Sequence, residues 1–128
     1  MKHPQHNGLP FNADFDPLVG RKFTTVHIGK FWLQYLSEEP EKLDIAIGIE
    51  GAVIFTESGG KTTRIEDFAI GGGLLCQLIG LTIEKASRRE EDGGLILDMS
   101  AGIRLEVVNE YPQYEAVTIH IGDNVIVG

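Results

Sequence analysis

The chain has 128 residues, 42% of them apolar and 23% charged, proportions that exclude a disordered or fibrous protein and fit a single hydrophobic core. Nineteen acidic against eleven basic residues give a formal charge of −8, spread with no basic patch, which argues against direct nucleic-acid binding and toward a basic protein partner. A lone cysteine, Cys76, rules out an intrachain disulfide, and no apolar run approaches the roughly 18 residues of a membrane span, so a cytoplasmic location without membrane insertion is expected.

Taken in chain order, residues 1–17 hold Pro4, Pro10 and Pro17 among polar residues and read as an arm, which Leu9, Phe11 and Phe15 can pin to the body. Residues 18–128 form the domain. Phe31-Trp32-Leu33-Gln34-Tyr35-Leu36 is apolar on both parities, as expected of a strand covered on both faces. Glu38, Glu39 and Glu41 crowd the turn around Pro40 and read as a solvated acidic face, free to meet a partner. Leu43, Ile45, Ile47 and Ile49 alternate with Asp44, Ala46, Gly48 and Glu50, the cleanest strand of the chain. Within 66–77, Asp67 can cap a turn, and Leu74, Leu75, Leu78 and Ile79 group on one helical face, so one short helix is expected there. Cys76 falls in this apolar stretch and reads as a small buried hydrophobe. Arg88 to Asp92 mixes signs before Gly93-Gly94, as a solvated hairpin tip would. Leu95-Ile96-Leu97-Asp98-Met99 is a second strand apolar on both parities. Ile103, Leu105 and Val107, then Val117, Ile119 and Ile121, mark two more alternating strands.

These elements occur twice. Leu18-Val19-Gly20 matches Leu78-Ile79-Gly80 sixty residues later, and each is followed by a strand and then by an apolar strand ending in serine, Ser37 and Ser100. A turn, an alternating strand and a last apolar strand complete both copies, about 18–56 and 78–127, with the helix between them. The expected fold class is therefore mainly β, α+β at most. Two repeated β-meanders pack as a pseudo-two-fold sandwich or a partly open barrel.

The second copy carries Gly94-Leu95-Ile96-Leu97, Gly102-Ile103-Arg104-Leu105, Tyr114-Glu115-Ala116 and a closing Gly-Asp-Asn-Val-Ile-Val. In that order of motifs the chain resembles an uncharacterised family of short bacterial β-rich proteins reading Leu-x-Gly, Gly-x-Leu, Gly-x-x-Leu and Tyr-Glu-Ala-Trp. Val117 stands at the tryptophan. The resemblance implies a duplicated β domain of unknown activity with an immunity-like role, and it lends no catalytic residue.

No motif reaches the specificity of a catalytic, cofactor or metal site. Ser58-Gly59-Gly60-Lys61-Thr62-Thr63 echoes a phosphate loop, yet Phe55 occupies the place of its first glycine, so a hairpin is expected instead. Gly71-Gly72-Gly73 reads as a flexible turn. His3 and His6 lie in the arm, and His27 and His120 alternate with apolar neighbours, which puts both on polar strand faces. Glu115 begins an apolar strand beside Tyr114, where a part-buried acid needs loop amides or an arginine as partner. The expected function is a non-enzymatic protein-interaction or immunity-like module that forms a homodimer along unpaired sheet edges. The alternative is a small-ligand or enzymatic barrel with a pocket between the copies near Tyr35, Tyr114 and Glu115.

Overall fold

Two-residue alternation places one row of branched aliphatics on each strand's inner face, and two such faces together make a dry core. The computed structural model describes residues 8–110 and 115–128. Its strands are β1 Thr25–Ile28, β2 Leu33–Ser37, β3 Ile45–Ile49, β4 Val53–Thr56, β5 Thr62–Ile65, β6 Ile83–Arg88, β7 Leu95–Met99, β8 Arg104–Val107, β9 Val117–Ile121 and β10 Asn124–Val127. They form two antiparallel five-stranded sheets, in the orders β1-β2-β3-β9-β10 and β6-β7-β8-β4-β5. Among the described residues no ladder joins an outer strand of one sheet to an outer strand of the other, so the structure is a sandwich and not a barrel. Ile45, Ile47 and Ile49 pack inside with Leu105, Val107, Val117 and Ile119, all essentially inaccessible.

The two orders are the same list for the two copies, shifted by five strands. Each copy lays three strands in one sheet and then crosses, so its fourth and fifth strands complete the other sheet. This exchange was not expected, since each meander was read as a unit packing against the other. The backbone shows the relation directly. Gly20 N–H donates to Ile83 O at 2.7 Å and Gly80 N–H to Phe23 O at 2.9 Å; Ile83 N–H donates to Arg21 O at 2.8 Å and Phe23 N–H to Leu81 O at 3.2 Å. Each pair turns into the other on adding or subtracting sixty residues, about the bridge between Lys22 and Thr82. Gly20 and Gly80 share a φ of 86°, a left-handed value that glycine adopts without strain.

Several local expectations need correction. The strands β2 and β7 are covered on one face only, with Leu33, Tyr35, Leu95 and Leu97 inside and Gln34, Leu36, Ile96 and Asp98 half-buried outside. A two-layer sandwich supplies no second cover. Phe31 and Trp32 stand before β2 and are exposed. The phosphate-loop look-alike is the β4–β5 hairpin: Glu57 N–H donates to Lys61 O at 2.9 Å, and Thr62 already belongs to β5. The helix is one turn, α1 Gly72–Leu75, running into a 3₁₀ turn Cys76–Leu78. It buries Leu75 and Leu78, while Cys76 is exposed, on the turn's outer side. Of the arm, Leu9 is buried, with its N–H on Gly93 O at 2.7 Å, whereas Phe11 is exposed under the Arg88 guanidinium, 3.9 Å from the ring centre. His3 and His6 lie outside the described residues. Among the described residues no helix is long and apolar enough to cross a membrane.

Candidate functional site

Where the chain crosses between sheets, the two copies differ. The first crossover, between β3 and β4, takes three residues, 50–52; the second, between β8 and β9, takes nine, 108–116. They meet by another exchanged pair of hydrogen bonds, Glu50 N–H to Ala116 O at 2.9 Å and Val108 N–H to Ala52 O at 2.8 Å. Gly51 permits the approach, because a Cβ there would lie 2.6 Å from Val108 O and 3.1 Å from Ala116 Cβ. A cleft of about 430 Å³ opens at this meeting point.

Its apolar part is Phe68, buried, and Phe31, exposed on the β1–β2 turn. Backbone holds them together, Phe68 N–H donating to Lys30 O at 2.8 Å. The Lys30 ammonium sits 5.4 Å from the centre of the Phe31 ring. The polar side chains of the lining are Glu50, Glu66, Glu110, Glu115 and Asn109. Glu110 is bound by the Arg64 guanidinium, which also lies 3.6 Å from Glu66. Four carboxylates line the cleft, and the cations beside it are the Arg64 guanidinium on Glu110 and the Lys30 ammonium near Phe31.

Asn109 is the one polar side chain of the lining that is buried, at 5% exposure. Its Nδ2 donates to Asp92 O at 3.1 Å and its backbone N–H to Asp92 Oδ2 at 3.0 Å. Its Oδ1 has no partner among the described residues. A buried amide oxygen without a donor costs about 1–3 kcal/mol. Asp92 in turn takes the Gly94 N–H at 2.9 Å and the Arg89 guanidinium at 2.6 Å, and Arg89 reaches Glu106 at 3.3 Å. The segment read as a solvated hairpin tip is thus a half-buried knot that fixes the start of the second crossover. Arginine 89 keeps its proton more firmly than usual, the acids around it outweighing its burial.

Glu115 lines this cleft as expected of a binding residue, but it is exposed and carries no hydrogen bond or ion pair among the described residues. Among the described residues neither an arginine nor a loop amide binds it. Tyr114 lies outside the described residues. Tyr35 lies in the core, not at the cleft: fully buried, it stacks on Phe23 with ring centres 4.7 Å apart and donates its hydroxyl to Leu75 O at 2.6 Å. Burial pushes its pKa well above that of free tyrosine, with the Cys76 thiol adding to the rise. Glu115 shares its cleft with Phe31, Phe68 and Asn109, and Tyr35 is not part of that lining.

A second, smaller groove of about 230 Å³ runs on the outer face of the first sheet, over Gly48, between Trp32 and Gln34 on one side and Thr118 and His120 on the other. Glu50 and Glu115 line both clefts. His27 is exposed beside Trp32, ring centres 6.3 Å apart, on β1, and β2 and β3 separate it from His120 on β9. The two histidines are not brought together. Among the described residues no group of three or more His, Cys, Asp or Glu side chains has the arrangement of a metal site.

In the other acidic cluster Glu38 and Glu41 are exposed, and Glu39 is bound into the fold. Glu39 accepts Arg21 Nε at 2.8 Å, Lys22 N–H at 3.1 Å and Ser37 Oγ at 3.2 Å. Those bonds, Arg21 first, bring its pKa down to about 2. Arg21 also donates to Leu43 O at 2.7 Å, closing the β2–β3 turn. Glu39 is thus not a free docking charge.

No family model, curated protein or solved structure matches this chain. Function is read from the cleft alone.

Proposed function

We propose that the protein is a non-enzymatic interaction module whose cleft receives a positively charged segment of a partner protein. One observation carries this reading: every exposed polar side chain of the lining, Glu50, Glu66, Glu110 and Glu115, is a carboxylate. Carboxylates offer acceptors only. Phe31 and Phe68 add the apolar contact that a long basic side chain lays down along its methylenes. The overall charge of −8 steers the same kind of partner. An immunity-like role in the cytoplasm fits such a module, since an inhibitor must cover a partner's surface without acting on it.

The test is a titration of the protein with a basic peptide between 0.01 M and 0.15 M salt, over which the screening length falls from about 30 Å to about 8 Å. Affinity should fall as salt rises, and Glu50→Gln with Glu115→Gln should reduce both the affinity and its salt dependence. Binding indifferent to salt and to both changes would end this reading. The module is also proposed to dimerise along a sheet edge, and light scattering showing only monomer at micromolar concentration would remove that element. The second groove supports a second reading, a small-ligand site in which Trp32 supplies a flat face and Gln34, Thr118 and His120 supply the polar contacts. It predicts that Trp32→Ala abolishes binding of an uncharged ligand and leaves the basic peptide unaffected.

A further inference from the structure

We propose that the groove over Gly48 is a carbohydrate site, taking one pyranose ring stacked on Trp32 with its hydroxyls bonded by the polar side chains on either side. The inference rests on the second, small-ligand reading and names the ligand class. Gly48 is the observation that carries it. It stands mid-strand in β3, the middle strand of its sheet, where glycine weakens the strand and marks a close approach of backbone or ligand. No backbone makes that approach. The φ of Gly48 is not positive, and a Cβ placed there would meet only Thr118 O, at 3.8 Å, an ordinary contact. What the missing side chain leaves is the floor of a groove of about 230 Å³.

The walls of that groove match a sugar ring. Gln34 and Thr118 stand opposite Gly48 on β2 and β9, so two strand spacings, about 10 Å, separate them across the floor. One six-membered ring bridges that gap with its substituents. Gln34, Thr118 and His120 each donate and accept, while Glu50 and Glu115 accept, a mixture suited to hydroxyls, which do both. Trp32 is 40% exposed and is held from behind: Gly29 N–H donates to Trp32 O at 2.7 Å, and the indole Cε3 lies 3.7 Å from where a Cβ on Gly29 would stand. Such a fixed, open indole face receives the C–H face of a pyranose. Quaternary ammonium ligands are held in cages of several aromatic rings and planar bases between two walls. Among the described residues Trp32 is the one Phe, Tyr or Trp side chain lining the groove.

The chain has a single tryptophan, so its emission reports on this groove directly. The full chain is titrated up to millimolar concentrations of the methyl glycosides of glucose, galactose, mannose and N-acetylglucosamine, and of adenosine and choline, followed by emission and by amide spectra of the labelled protein. At least one glycoside should shift the Trp32 emission and move the Gly48 and Thr118 amide signals while the Phe68 signal of the first cleft stays in place, readouts that require no variant to fold. Gly48→Val adds an outward-facing, strand-favouring side chain, so it should keep the parent's Tm, weaken that glycoside by about tenfold or more and leave the basic peptide unaffected. A response to adenosine or choline with none to any glycoside would overturn the carbohydrate inference and leave the small-ligand reading standing. Silence toward every probe would overturn both. Undiminished glycoside binding by folded Gly48→Val would put the sugar elsewhere and overturn the inference as well.

Discussion

Asp92 is the residue on which the site's geometry depends most, and replacing it tests how the second crossover is held. Its carboxylate accepts two backbone N–H groups, those of Gly94 at 2.9 Å and Asn109 at 3.0 Å, and pairs with Arg89 at 2.6 Å. Gly94 and Asn109 are both buried, so Asp92→Ala leaves two donors without an acceptor, and water reaches them poorly. Each such loss costs about 1–3 kcal/mol, and the ion pair adds little because Arg89 retains Glu106 at 3.3 Å. A total near 3 kcal/mol corresponds to a fall in Tm of about 10 °C for a domain of this size. Asp92→Asn keeps one acceptor oxygen and should lose about half as much. Thermal unfolding followed by circular dichroism, with basic-peptide affinity measured well below Tm, reads both the stability and the site. The alanine variant should bind more weakly, because the Asn109 backbone N–H loses its bond to the carboxylate and only the bond to the Asp92 carbonyl is left to orient the residue. A Tm within about 3 °C of the parent, or an asparagine variant as damaged as the alanine one, would refute this account of the knot.

Glu39 sets a pH dependence. Its carboxyl titrates near 2 in the folded chain against 4.5 for a free glutamate, so its stabilisation is complete above about pH 4.5 and is lost as pH falls toward 2. Glu39→Gln should be less stable at neutral pH and should show a shallower decline in Tm through that window, and an unchanged decline would assign the acid sensitivity elsewhere. Cooperativity is the second consequence of the fold. Because each sheet holds strands of both copies, the copies cannot unfold one at a time, and denaturant titration should give one transition by fluorescence and by circular dichroism together. Separate transitions would contradict the exchanged topology.

The parts of the fold legible in the sequence were those carried by local chemistry. Alternation set the inward face of β3, because Ile45, Ile47 and Ile49 share a parity that β-branched side chains favour in strands. The paired Leu-x-Gly motifs marked two matching turns, since Gly20 and Gly80 both sit at a backbone angle few other residues accept. The strand exchange was not legible, because alternation says which face is buried and nothing about which strand lies alongside. Tyr35 was misplaced although a usable signal was present: it shares parity with Leu33, which directs it to the core. At the cleft, Glu115 was legible as an acid at the head of an apolar strand. Asn109, Glu50, Glu66 and Phe68 were not, because topology alone gathers them from three separate segments. Asp92 read as a loop acid, its partner Asn109 being seventeen residues away.

The location of the cleft follows from how the symmetry fails. The exchanged hydrogen bonds at Gly20 and Gly80 and at Glu50 and Val108 tie the copies together at two places, and at the first of these the copies match residue for residue. At the second, the longer crossover holds six more residues than its counterpart, nine against three. An insertion there costs the core nothing, because it falls between strands and both sheets keep their register on either side of it. It does place Asn109, Glu110 and Glu115 in one lining with Glu50 and Phe68. Shortening the crossover to three residues should therefore spare the sandwich and abolish the cleft. If the shortened chain folded with the parent's strand content and still bound the basic peptide, the binding surface would have to lie elsewhere on the acidic exterior.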